Sequence, residues 1–422
     1  MSYSQKMVDA LQNDQLSEAQ EFLTRALKQD SIDDLYQLSD SLYQLGFLEQ
    51  TKEILHHLLA QKKDDDEIKV NLAEIAIEEG NELEAIDWLQ SIDKTSSVYP
   101  QALLVSADYY QVLDLPEVSE QKLLEAQSIL ENEPVILFAL AELHFTMGKY
   151  AQAIREYEQL LTMGEENLAG IHLVSRLGSA YSALGDWENA IDYLEEAVDV
   201  DDTVDTLFQL GFTYFQVKEY QRANECLYKV KEMDHSYTSL YPYLAKGLDE
   251  ENQLDKASEI IEEGLLQDKI NYQLYLIGAE VELKRSNEVK AEQYYKLALE
   301  LDPDNETISL QYTNFLLHQE RYEETVEFVQ KALTELDADP QLHWNLAVAQ
   351  NELEEYDAAR RAYDKAYPYF DTNIEFLKQY FFFLREEGQI EKSREVGIRY
   401  LEFRSDDLEI QEILNNEHLD FE

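Results

Sequence analysis

The stretch LGSAYSALGDWENAIDYLEEAV, Leu177 to Val198, decides the fold. It reads as two short amphipathic helices joined by a turn at Gly185 and Asp186. Leu177, Gly178 and Tyr181 share a face of the first helix. Ala190, Leu194 and Ala197 share one of the second, at the spacing of a single helical stripe. Helices this short are marginal alone, because nucleation is costly and most of their stability comes from neighbours. The unit therefore implies copies of itself.

Copies recur along nearly the whole chain. Aligning the small residue of the second helix gives Ala19, Thr51, Ala85, Ser119, Ala153, Ala190, Ala223, Ala257, Ala291, Thr325, Ala359 and Ser393. The steps are 32, 34, 34, 34, 37 and 33, followed by five of 34. Each column has a physical reason. A small residue there lets the second helix approach the first, where a larger side chain would wedge them apart. Small residues also recur in the first helix, among them Ala73, Ala107, Gly178 and Gly211. The turn within each pair carries Gly46, Gly80, Gly148, Gly185 and Gly388, with Asp14 and Asn252 at the same place. That position suits the left-handed residue that commonly ends a helix. Pro100, Pro134 and Pro340 open repeats, where a missing amide hydrogen costs nothing.

These residues resemble the tetratricopeptide-repeat family, whose signature is a 34-residue helix-turn-helix period. The resemblance implies an all-α solenoid, a right-handed superhelix of about twelve helical pairs. In length, acidity and unadorned repeats the chain is similar to the YpiA-type proteins of bacilli. The expected organisation is an N-terminal stack over 1–165, a C-terminal stack over 171–407, and a capping helix with an acidic tail over 408–422. The 37-residue step adds residues around TMGEENLAG, Thr162 to Gly170, which reads as a lengthened turn or a hinge between stacks.

Charge narrows the function. Lys and Arg number 34 against 88 Asp and Glu, a formal net charge of −54. Such a field disfavours direct contact with nucleic acid, whose phosphates need a basic surface, and with anionic membranes. It attracts basic proteins and peptides. No segment approaches the eighteen or so apolar residues of a membrane span, so no membrane insertion is expected. One cysteine, Cys226, excludes a disulfide within the chain and suits a reducing, cytoplasmic setting. No HExxH, CxxC or phosphate-loop motif occurs, so catalytic residues, metal ligands and cofactors are not expected.

In the family, the first helix of each pair lines an inner face that many members use to bind a peptide or helix of another protein. Carried onto this chain, that face has acidic positions at Asp40, Glu74, Asp108 and Glu142. Its aromatic positions are Tyr36, Tyr43, Phe138, Phe145, Phe208, Phe212 and Phe215. The expected partner is a protein segment with Lys or Arg among apolar anchors. Carboxylates would pair with the cations and aromatic rings would stack on them. From Lys246 onward the same positions become mixed in charge. Two other readings are an acidic shield that sequesters a basic nucleic-acid-binding protein, and an enzyme with an unrecognised site. Phe381 to Phe383 suggests a self-association patch.

Overall fold

The computed structural model describes residues 2–62, 64–335 and 339–419. Among them are 25 helices and one short antiparallel hairpin. The helices fall into twelve consecutive antiparallel pairs with one more at the C-terminal end, as the period requires. The chain divides into two compact units, Met1–Gln209 and Leu210–Glu422, the division falling inside α13 (Val204–Gln216).

In unit 1 the first helices of successive pairs are α1 (Tyr3–Gln12), α3 (Ile32–Gln44), α5 (Asp66–Glu78), α7 (Tyr99–Val112), α9 (Pro134–Thr146) and α11 (Leu173–Leu184). Their partners are α2 (Leu16–Gln29), α4 (Leu48–Gln61), α6 (Glu82–Gln90), α8 (Pro116–Ile129), α10 (Tyr150–Thr162) and α12 (Trp187–Val200). The layer made by first helices is called here the A face.

The founding stretch shows why the pairs form. A Cβ added at Gly178 in α11 would lie 2.7 Å from Leu194 Cγ in α12, so only a hydrogen fits between these helices. Gly185 ends α11 with a φ of 86°, the left-handed geometry expected of the turn. Asp14 and Asn252 take the same geometry at their turns. So do Asp114, Lys218, Ser286, Glu320 and Glu354, which the sequence did not flag. The repeat geometry overrides local preference there.

Apolar stripes merge into continuous cores. Met7, Leu23, Leu38, Ile54 and Ile68 belong to one cluster reaching from α1 to α5. A second joins Leu137 and Tyr157 to Leu173 and Leu177, carrying the core across the 37-residue step. That step is not a plain turn. It holds the hairpin of β1 (Asn167–Leu168) and β2 (Ile171–His172), paired Asn167 to His172 and Leu168 to Ile171. Among the described residues the regular structure is thus helical except for this insertion.

Unit 2 repeats the plan with α14 (Tyr220–Met233), α15 (Leu240–Glu250), α16 (Leu254–Gln267), α17 (Tyr272–Lys284) and α18 (Glu288–Leu301). It continues through α19 (Glu306–His318), α20 (Tyr322–Glu335), α21 (Pro340–Glu352), α22 (Tyr356–Phe370), α23 (Ile374–Glu386) and α24 (Ile390–Phe403). The terminal α25 (Leu408–Leu419) covers the last apolar face with Ile410 and Leu414. The acidic tail expected beyond it, residues 420–422, lies outside the described residues. Phe381 and Phe383 are buried at 0% and 3% exposure, which corrects their reading as a surface patch. They pack in the same core as Tyr363 and Tyr380, because α23 is covered by α22 and α24 on both sides.

Candidate functional site

Asp40, Glu74, Asp108 and Glu142 occupy one repeat position on α3, α5, α7 and α9, each 34 residues after the last. Side chains about one repeat apart on first helices reach each other: Tyr43 donates to Glu78, and Lys246 lies 3.0 Å from Glu280. The column therefore behaves as a ladder in which each rung feels the next. What sits on neighbouring rungs decides whether charge is compensated within the chain.

At Glu142 it is. Arg176 Nε donates to Glu142 Oε1 at 2.8 Å, its Nη2 donates to Oε2, and the Tyr157 hydroxyl donates to Oε1 as well. The Arg176 guanidinium also lies 4.8 Å from the centre of the Phe145 ring. The Glu142 hydrogen bonds raise the Arg176 pKa above its ordinary value, consistent with a fixed bidentate pair. Phe138, at 8% exposure, belongs to the core beneath. These three positions thus form a closed internal cluster.

Nearer the N-terminus the ladder is uncompensated. Among the described residues no cation pairs with Asp40, Glu74 or Asp108. Glu74 is half-buried, and its carboxyl pKa is raised by burial first and then by the charges of Glu78 and Asp108. Asp108 keeps an exposed edge, yet enough protein surrounds it that lost hydration raises its carboxyl too. Repelling carboxylates held this way favour any cation that arrives.

Aromatic and apolar groups surround these acids. A cavity of about 260 Å³ brings Asp40, Tyr43 and Glu74 together over Leu55 and Ile75. Burial and its bond to Glu78 push the Tyr43 hydroxyl pKa up, so it stays a donor. Tyr36 donates to Asp65 at 2.7 Å, and the Lys62 ammonium sits 5.5 Å from its ring centre. Val112, one turn after Asp108 on α7, is 74% exposed. Sequence reasoning missed it, although the i, i+4 spacing from Asp108 was available.

Phe208 is half-buried in unit 1. In unit 2, Phe212 and Phe215 pack edge-on against Tyr243 at 5.1 and 5.4 Å, and Phe215 also meets Tyr220. They form an aromatic cluster of their own. Two buried acids on first helices of this unit are compensated: Asp249, 4% exposed, pairs with Lys246 at 3.0 Å and with Lys284. Glu282, 1% exposed, is held by Arg285 at 2.8 Å and Lys290 at 3.0 Å. At the repeat position of Asp40 itself this unit carries Lys246 and Glu280, paired at 3.0 Å. Among the described residues no group of His, Cys, Asp and Glu could hold a metal ion, and no helix is long and apolar enough to cross a membrane.

Comparison with known proteins agrees with this architecture. Models described as YpiA-like tetratricopeptide repeats and YpiA-like C-terminal tetratricopeptide repeats match residues 111–165 and 340–407. A general tetratricopeptide-repeat model matches 173–205. The TPR repeat-containing protein YpiA of Bacillus subtilis (strain 168) is 33% identical over 394 residues, 93% of this chain and 92% of that protein. Among solved structures, a tetratricopeptide repeat protein from Parabacteroides merdae aligns with 60% of this chain and 98% of its own at 15% identity, TM-score 0.47. The Cut9–Hcn1 hetero-tetramer of the APC/C aligns with 97% of this chain and 94% of its own at 12% identity, TM-score 0.41. With one relative this similar over almost its full length, and with the repeat, turn and packing geometry above, the chain belongs to the YpiA-like family of tetratricopeptide-repeat proteins.

Proposed function

We propose that this protein is a non-catalytic scaffold or adaptor of the cytoplasm, and that the A face of unit 1 docks a partner protein's segment bearing Lys or Arg among apolar anchors. Tetratricopeptide-repeat proteins generally mediate protein–protein interactions, and the chemistry of this face specifies the kind of segment. The observation that carries the reading is the contrast along one ladder. Asp40, Glu74 and Asp108 lack a cation among the described residues, while Glu142 pairs with Arg176, and Glu280, at the same repeat position in unit 2, pairs with Lys246. An incoming ammonium or guanidinium would offset the burial, and then the like charges, that raise the Glu74 pKa, and Val112 with the Leu55 and Ile75 floor would receive apolar side chains. The Arg176 pair with Glu142 and Phe145 shows, within the chain, how such a face holds a guanidinium.

Affinity capture tests this. Glu74→Lys with Asp108→Lys should abolish capture of partners held by the wild type. Asp192→Lys with Glu259→Lys, the same charge change on exposed second-helix positions, should leave them in place. Identical partner sets for both double variants and the wild type would refute the reading.

A further inference from the structure

We propose that unit 1 carries a second site, a pocket for a small carboxylate with an apolar body, formed where α6 stops short and α7 and α8 close over the gap. The other second helices run from 13 to 15 residues, whereas α6 has nine. After Gln90 the chain leaves the helix and turns at Asp93, whose Oδ1 accepts from the Thr95 amide at 2.8 Å and from its hydroxyl at 2.6 Å. The missing helical turn leaves a cavity of about 310 Å³, and none of the acids on the A-face ladder lines it. That size suits a compact ligand rather than a peptide.

The lining sets the ligand's chemistry. Ile86, Leu89 and Leu103 give an apolar wall. Ser106 is already satisfied by the Ala102 carbonyl at 2.6 Å. Tyr109 is not: it is 3% exposed, lines the cavity, and its hydroxyl has no hydrogen-bond partner among the described residues. Burial and the nearby Glu82 charge keep that hydroxyl protonated, hence a donor. At the same cavity Lys94 is held by Glu125 at 3.4 Å, whereas Lys122 has no carboxylate within ion-pair distance among the described residues, although its charge reaches Glu125. A donor without an acceptor and a cation with no carboxylate in direct contact, beside an apolar wall, are the two halves of a carboxylate's requirement. One carboxylate oxygen would accept from Tyr109, the other would face Lys122, and the tail would cover the wall.

The charge of the chain makes the test discriminating, because a net −54 favours cationic amphiphiles everywhere else. The full chain is titrated calorimetrically with octanoate, octanol and octylammonium. Octanoate should bind best, and Tyr109→Phe and Lys122→Met should each weaken it about tenfold. Without ligand, Tyr109→Phe should melt no lower than the wild type, since it removes an unpartnered hydroxyl. Absence of octanoate binding, equal or tighter binding of octylammonium, or affinity unchanged in both variants would overturn the proposal. A lower melting temperature for unliganded Tyr109→Phe would also overturn it, by showing that the hydroxyl already has a partner.

Discussion

At Gly178 the fold leaves no room for one more carbon. Gly178→Ala would press on both the Leu194 side chain and its backbone nitrogen, at 2.7 and 3.1 Å. The helices must separate, so unfolding should become easier by about 1 to 3 kcal/mol in a denaturant titration. Glu354 is the opposite case. Its φ of 60° strains an L-residue, and Glu354→Gly should stabilise by up to about 1 kcal/mol in the same experiment. The columns of small residues were legible in the sequence because close approach admits few side chains. The left-handed Lys218, Ser286, Glu320 and Glu354 were not, because nothing in those residue types announces the geometry. Charge at a single residue was legible, but its compensation was not. Arg176 lies 34 residues after Glu142, yet the step there is 37, so in the repeat frame the arginine falls one turn early. The insertion hid the pair that closes off Glu142 and Phe145.

Among the elements, α9 carries a titratable device in its pairing with α8 and α10. His144, 3% exposed, is bonded at 2.7 Å to Glu156 and at 3.0 Å to Glu120, which also holds Lys149 at 2.6 Å. The Glu156 bond foremost, with help from Glu120, raises the imidazole pKa above its ordinary value despite burial. The sign follows: the contribution is complete below the unfolded value and is lost as pH rises through the higher folded one. Denaturation midpoints measured between about pH 6 and about pH 9 should fall for the wild type, and His144→Gln should flatten that fall. At the other end, α25 acts as the lid of unit 2. Ile410→Ala should destabilise that unit by about 2 to 5 kcal/mol, read as a lower unfolding midpoint. The helix pairs and the cap were legible from periodicity. The β1–β2 hairpin was not, because two residues a side give no alternating pattern. The early stop of α6 was written in Asp93-Lys94-Thr95-Ser96-Ser97, a run of turn-forming residues that the 34-residue period overshadowed.

For the molecule as a whole, a net charge of −54 sets the terms on which partners approach. Basic segments are steered toward it, so their association should slow and weaken steadily as salt is added. Net charge alone does not choose a site; in the proposed function the choice lies in where carboxylates lack a cation among the described residues. Unit 1 keeps Asp40, Glu74 and Asp108 open, and unit 2 pairs Asp249 and Glu282. Keeping them open has a stability cost. Because burial and like charges raise the Glu74 pKa, its ionised form opposes folding at neutral pH, and stability rises as pH falls through the raised value. Neutralising the ladder should therefore stabilise the protein while weakening what it binds. The decisive measurement is a calorimetric titration of an arginine–leucine peptide into the wild type and into the Glu74→Gln, Asp108→Asn variant at low salt. The account predicts that the variant binds about tenfold or more weakly although it melts at a higher temperature. Equal affinity for the two proteins would contradict it.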